Sequence, residues 1–296
     1  MKLDKALRNI PQVVSLEVTY RCNLNCIYCK KRDQGETHND LSDEMLKKLK
    51  EVIVQQKKII ICGIGESFLY PKLYELIHGF PKQKFCIVTN GTIPINFSKL
   101  NICGNVEQII YSIDAAEQDI LNKISGKYNM DHLLSNLMEY HTYYQSQNGC
   151  ILQVLNCTLN EHNLGQITQL VHFAYEYHMD TIHFSLPRGK EGFIQEHQKE
   201  IIESLNEAKK IANHYGIYFV NPFDVCCIYL RWVTPYITLD GDIFACAEDL
   251  YVDHKLGNLA DITLKEAFES KAYEEFQSGK RCETCRFLQN SKLSFS

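Results

Sequence analysis

The chain has 296 residues, 45% hydrophobic and 23% charged, with 15 glycines, 7 prolines and a formal net charge of −5. That balance describes a folded protein with a sizeable core and excludes disordered, collagenous and low-complexity chains. It offers no basic surface to a nucleic-acid backbone, no apolar run of the roughly 18 residues a membrane span needs, and no secretion signal after Met1-Lys2-Leu3-Asp4-Lys5. A cytoplasmic protein with no nucleic-acid partner and no membrane partner is expected.

In chain order, residues 13–19 are rich in β-branched side chains and predict a strand, followed by a polar, cysteine-bearing loop through Lys31. Ser42 predicts a helix cap, with Asp43 and Glu44 in the first turn and Met45, Leu46, Leu49, Val52 and Ile53 at helical spacing. Short apolar strands are expected over 58–62, 85–89, 108–113, 151–157, 181–185 and 217–220. Helices are expected after Pro71 and over 130–144, 164–177 and 195–214, the last with a solvated charged face from Glu200 to Lys210. Tyr140, Tyr143 and Tyr144 sit at helical spacing and are expected in the core.

Strands alternating with helices and apolar on both faces form a parallel sheet covered by helices. The expected fold class is α/β, a partial (βα)6 barrel over residues 1–220 with its chemistry at the carboxyl ends of the strands. Beyond Asn221-Pro222 the alternation stops. Tyr236 to Cys246 reads as a hairpin turning at Asp240-Gly241, and a helix over 264–276 follows. Residues 221–296 are expected to form a small β-hairpin plus helix domain.

Thirteen cysteines, odd in number and unevenly spaced, point to metals or catalysis in a reducing compartment. Cys22-x3-Cys26-x2-Cys29 lies in the loop after the first strand. Three thiolates so close can converge on one cubane and ligate three of its four irons, leaving one iron open. A zinc site using His38, or redox thiols, are the alternatives from spacing alone.

The run Cys22-Asn23-Leu24-Asn25-Cys26-Ile27-Tyr28-Cys29 resembles the radical S-adenosylmethionine signature. Supporting segments follow in order on consecutive strand ends: Cys62-Gly63-Ile64-Gly65-Glu66, Thr89-Asn90-Gly91-Thr92 and Ser112-Ile113-Asp114. The resemblance implies that Cys22, Cys26 and Cys29 ligate a 4Fe–4S cluster. It also implies that Tyr28, Gly63, Gly65, Glu66, Asn90, Ser112 and Asp114 bind S-adenosylmethionine, the Gly63–Glu66 segment at its methionine amino end. Ile64 and Ser67 depart mildly from the family's pattern. Where relatives usually read Ile-Arg-Gly, this chain reads Ile124-Ser125-Gly126. Lys123 or Lys127 is then the candidate to supply the charge for the cofactor carboxylate, and a lysine does not reproduce a bidentate arginine pair. The implied chemistry takes an electron from a donor such as flavodoxin or ferredoxin, splits the sulfonium, and uses the 5′-deoxyadenosyl radical on an unactivated C–H while the barrel excludes water.

A second cysteine set, Cys226-Cys227, Cys246 and Cys282-x2-Cys285, has metal-ligand spacing, with structural zinc or buried thiols as alternatives. Together with Asp240–Cys246 and Gly257-Asn258-Leu259-Ala260-Asp261 it resembles the short "twitch" form of the SPASM domain, which implies one auxiliary 4Fe–4S cluster. Spacing favours Cys227 with Cys246, Cys282 and Cys285 as its ligands. Cys226 is then a spare thiol able to return a hydrogen atom, or one that merely packs; the opposite assignment of the doublet stays open. Cys62, Cys86 and Cys157 fall in strand patterns and are expected in the core; Cys103 and Cys150 carry no signal.

Substrate is expected above the strand ends, within reach of Asn156, Asn160, His183 and Arg188. His183 has the pKa of a base for a hydroxyl proton, and Arg188 is a candidate to orient substrate oxygens. The expected reaction is oxidation of a sugar-like or aminocyclitol alcohol to a ketone, with the auxiliary cluster as electron acceptor. The build resembles small radical enzymes of the 2-deoxy-scyllo-inosamine dehydrogenase type, and about a dozen residues before the first strand leave no room for an appended peptide-recognition domain. The alternatives are a peptide substrate, modified by an epimerase or thioether maturase, and a non-catalytic iron–sulfur or zinc protein.

Overall fold

The computed structural model describes residues 12–29, 39–146, 150–187, 190–224, 234–247 and 254–278. The β-branched and apolar runs form β1 (Val13–Leu16), β2 (Lys58–Ile61), β3 (Lys84–Thr89), β4 (Val106–Ser112), β5 (Leu152–Thr158), β6 (Thr181–Ser185) and β7 (Tyr218–Val220). Between them lie α1 (Asp43–Ile53), α2 (Leu73–His78), α3 (Phe97–Leu100), α4 (Gln118–Ser125), α5 (Met130–Ser146), α6 (Ile167–Glu176) and α7 (Glu191–Tyr215). Each strand pairs parallel with the next, which gives the expected partial (βα)6 barrel with β7 added at its open edge.

On the other side of β1, β8 (Tyr236–Ile237) pairs parallel with it, and β9 (Asp242–Phe244) and β10 (Lys255–Asn258) continue antiparallel. The C-terminal hairpin therefore extends the barrel's own sheet, which has ten strands among the described residues. The helix expected over 264–276 is two, α8 (Leu264–Phe268) and α9 (Lys271–Gln277), because Ser270 accepts the Tyr273 N–H and starts a new helix. Unforeseen α4 ends at Gly126, whose φ of 86° suits glycine.

Alternation along the strands divides the sheet into two faces. Ile59, Ile61, Phe85, Ile87, Ile109, Tyr111, Leu155 and Phe184 are fully buried under the helices, each such side chain contributing roughly 1.5–3 kcal/mol. In α7, Ile201, Leu205, Ala208 and Ala212 turn inward, while the charged positions between them stay in water as expected. The opposite, concave face is more polar: Ser112 pairs in register with Asn156, and Asn156 with His183. Tyr140 is buried and donates to the Ile151 carbonyl at 2.6 Å. Tyr144, expected in the core, is instead 48% exposed one turn further along α5, its ring 6.3 Å from that of Tyr140. Among the described residues no helix is long and apolar enough to cross a membrane.

Candidate active site

The cysteine loop leaves β1 and returns at one closed neck. Thr19 and Asp40 form a backbone bridge, and the Thr19 hydroxyl donates to Asp40 Oδ1 at 2.7 Å. Arg21 grips the same carboxylate with Nε at 3.0 Å and Nη2 at 2.8 Å, and also donates to the Leu69 carbonyl. Within the loop, the N–H groups of Asn25 and Ile27 donate to the Ser125 and Ile124 carbonyls at 3.0 and 2.8 Å, and Cys29 donates to Cys26 in a turn. The segment at the family's Ile-Arg-Gly position thus cradles the cysteine loop through its backbone. Ser125 itself turns away, its hydroxyl donating to the Leu121 carbonyl. Lys123 is exposed on the last turn of α4.

Cys22, Cys26 and Cys29 are half-buried. Burial pushes the Cys26 thiol well up, and the charges of Asp114, Cys29 and Cys22 push it further. A thiol so placed, as Cys26 is, resists ionising unless positive charge replaces its proton, which an iron cluster does. Cys22, Cys26 and Cys29, free thiols on one loop, match the donor set of a cubane held by three of its irons, and the loop fits a cluster.

The loop after β2 lies against β1 so closely that only hydrogen fits at its glycines. A Cβ on Gly63, whose φ is 151°, would stand 2.4 Å from Glu17 Cγ, and one on Gly65 would stand 2.1 Å from the Thr19 carbonyl oxygen. Glu66 is buried and joins this loop to the next, accepting from Phe68 N at 3.0 Å, Thr89 Oγ1 at 2.7 Å and Asn90 N at 2.7 Å. Burial raises its pKa, and those three donors oppose the rise. The Asn90 side chain donates to Asn23 at 2.9 Å, and Asn23 to Thr92 at 2.7 Å, which ties the cysteine loop to the end of β3. Asn136 of α5 secures this loop from beneath, donating to the Gly91 and Ile93 carbonyls and accepting from Ile95 N.

Asp114, at the end of β4, is buried and accepts from the Tyr28 hydroxyl and from Thr158 N at 2.8 Å. Burial lifts its carboxyl to about 6 against those two donors. Tyr28, Gly63, Gly65, Glu66, Asn90 and Asp114 thus stand on loops linked to one another by hydrogen bonds or close packing. Ser112 is half-buried on the concave face in the row with Asn156 and His183, and burial lowers the His183 pKa so that its imidazole is neutral at pH 7. Asn160, expected to reach substrate, is instead buried in the turn after β5: its N–H donates to the Asn163 side chain, its amide donates to the Thr158 carbonyl, and its Oδ1 accepts the His162 N–H at 3.0 Å. Of the expected core thiols, Cys86 and Cys157 are buried and Cys62 is half-buried.

Cys246 is buried just beyond β9. Arg188, Cys226, Cys227, Cys282 and Cys285 lie outside the described residues, as does His38. Sequence reasoning missed Glu17, Asp40 and Asn136. Each is a polar residue whose partners are distant in sequence, and only an Asp or Asn at a loop neck hints at such a role.

Comparison with known proteins adds the following. The Radical SAM superfamily model matches residues 16–171, over half of the chain, and the SPASM iron–sulfur cluster-binding domain model matches residues 226–286. The chain is 26% identical over 221 residues to the GTP 3′,8-cyclase of Clostridium perfringens, covering 71% of this chain and 66% of that relative, slightly under two thirds of its length. Its fold resembles that of anSMEcpe with bound AdoMet, at a TM-score of 0.71 and 19% identity over 95% of this chain and 88% of the other. It also resembles Streptococcus suis SuiB bound to S-adenosylmethionine, at a TM-score of 0.69 and 16% identity over 94% of this chain and 71% of the other.

Proposed function

This chain belongs to the radical S-adenosylmethionine superfamily, and from that premise we propose that it oxidises a carbon bearing a hydroxyl group in a substrate held against the concave face of the barrel. Its radical domain implies a 4Fe–4S cluster and S-adenosylmethionine, and its SPASM domain implies auxiliary iron–sulfur clusters. When bound, the first cluster and S-adenosylmethionine supply the radical that removes hydrogen from carbon, and an auxiliary cluster supplies an electron acceptor.

The chain's own residues do the rest. Cys22, Cys26 and Cys29 hold the cluster, and the Gly63–Glu66 loop presents backbone to the methionine amino end. Tyr28, Asn90, Ser112 and Asp114 line the remainder, with Lys123 supplying the charge for the carboxylate. Once hydrogen has left carbon, a hydroxyl-bearing centre becomes a ketone by losing a proton and an electron. His183 accepts that proton. The observation that carries this reading is His183 on the concave face, in register with Asn156 and kept neutral by burial. In the C-terminal unit, Cys246 with Cys282, Cys285 and Cys227 holds the auxiliary cluster, Cys226 stays spare, and Arg188 orients substrate oxygens. A redox protein of the flavodoxin or ferredoxin type supplies the electron.

A second reading, peptide modification, is favoured by the likeness in fold to SuiB bound to the precursor peptide SuiA and to anSMEcpe bound to the Cp18Cys peptide. One experiment separates the two. Anaerobically reconstituted protein is given dithionite, S-adenosylmethionine and an aminocyclitol deuterated at its carbinol carbons. Deuterium in 5′-deoxyadenosine together with a ketone product supports alcohol oxidation. Deuterium taken only from a labelled peptide probe supports the second reading.

A further inference from the structure

We propose that Glu17 is a positioning residue, joining the C-terminal hairpin to the Gly63–Gly65 loop and so setting how tightly that loop holds the methionyl end of S-adenosylmethionine. The inference rests on the cofactor reading above.

Ser15, Glu17 and Thr19 share the concave side of the first strand and its continuation, where a carboxylate finds little water. Glu17 is 0% exposed. Its Oε1 accepts the Ile64 N–H at 3.0 Å, in the middle of the glycine loop. The same side chain occupies the space a Cβ on Gly63 would need, 2.4 Å from its Cγ and 2.7 Å from its Oε1. On the other side its backbone N–H donates to the Ile237 carbonyl of β8 at 3.0 Å. Burial raises the pKa of its carboxyl, against the hydrogen bonds of the Tyr236 hydroxyl, the Ile64 N–H, the Tyr20 hydroxyl and the Leu239 N–H. Tyr20 also donates to Asp240, in the hairpin's turn, at 3.4 Å.

One buried side chain thus touches the cofactor loop and the unit that carries the second cysteine set. Glu66 anchors only the far end of the loop, through Phe68, Thr89 and Asn90. Its middle is held by Glu17. Without that acceptor the Ile64 N–H is buried and unpaired, and the loop is released from behind.

The test is equilibrium binding of S-adenosylmethionine to the full-length, anaerobically reconstituted protein, followed by the change it makes in the electron paramagnetic resonance of the reduced cluster. Glu17→Gln keeps an acceptor oxygen in place and is expected to bind within about threefold of wild type, whereas Glu17→Ala and the shorter Glu17→Asp are expected to bind roughly tenfold more weakly or worse. Iron content stays equal in all four proteins. If Glu17→Ala does not fold, the comparison of Glu17→Asp with Glu17→Gln decides. Shortened variants that bind like wild type, or a Glu17→Gln as weak as they are, overturn the inference alone. A wild-type protein whose signal does not respond overturns the cofactor reading, and this inference with it.

Discussion

Tyr28 donates its phenolic hydrogen to Asp114, a residue 86 positions away, and thereby fastens the cysteine loop to the end of β4. The bond spans two of the four strand ends on which the site is built. Asp114 passes the connection on by accepting Thr158 N at 2.8 Å, at the end of β5.

Tyr28→Phe keeps the ring and removes the donor. The buried Asp114 carboxyl then has the Thr158 N–H alone, and its pKa rises further above its already lifted value of about 6. Denaturant unfolding of the variant is expected to show a loss of about 2 kcal/mol, the size of a buried charge-assisted bond. A midpoint equal to wild type contradicts the role given to this pair.

Gly65→Ala tests the close approach of the two loops. The new Cβ meets backbone, the Thr19 carbonyl at 2.1 Å and the Arg21 carbonyl oxygen at 2.9 Å, and no flexible side chain is there to give way. A loss of roughly 3 kcal/mol or more is expected, with S-adenosylmethionine binding lost at temperatures where the chain is still folded. An alanine variant that binds normally would show that the loop has room to spare.

Much of this architecture is legible in the chain because the signals are local. Cys22, Cys26 and Cys29 lie within eight residues, and short apolar strands alternate with helices over the whole barrel. What is not legible is set by partners far apart. Glu17 reads as one polar residue in a β-branched run, and only the pairing of β1 with β8 shows that it is buried between a loop and a hairpin. Asp40 carries no signal in the chain, and its role appears only once Arg21 and Thr19 fold onto it. Asn160 looks available for substrate, yet local side-chain bonding to Asn163 and Thr158 takes it into a turn, a competition that spacing does not display. The joint at Ser270 was missed for a related reason: apolar spacing runs through it, and the cap lies in one hydroxyl.

His183 couples stability to pH in a direction that can be worked out. Burial holds its folded pKa below the ordinary value of 6.5. Above 6.5 the imidazole is neutral in both folded and unfolded chains and has no effect. As pH falls below 6.5 the unfolded chain takes up the proton first, so folding stability drops. Wild-type protein is therefore expected to lose stability between pH 7 and pH 5 more steeply than His183→Gln, as read from denaturation midpoints. The same variant is expected to bind S-adenosylmethionine normally and to lose turnover. Parallel pH profiles for the two proteins would show that burial does not hold His183 neutral, and undiminished turnover would remove it from the role of base.

Cys246→Ser probes the second cysteine set. The residue is buried at the end of β9, and serine fills nearly the same space. Iron analysis after reconstitution is expected to show about four fewer irons per chain, while the cluster at Cys22, Cys26 and Cys29 still responds to S-adenosylmethionine. Undiminished iron would place the auxiliary ligands elsewhere.

The most direct measurement is the yield of 5′-deoxyadenosine when reconstituted, dithionite-reduced protein meets S-adenosylmethionine. Wild-type protein is predicted to form it together with methionine, and Cys26→Ala to form none. Absence of 5′-deoxyadenosine from wild-type protein whose clusters are intact and reduced would contradict the account.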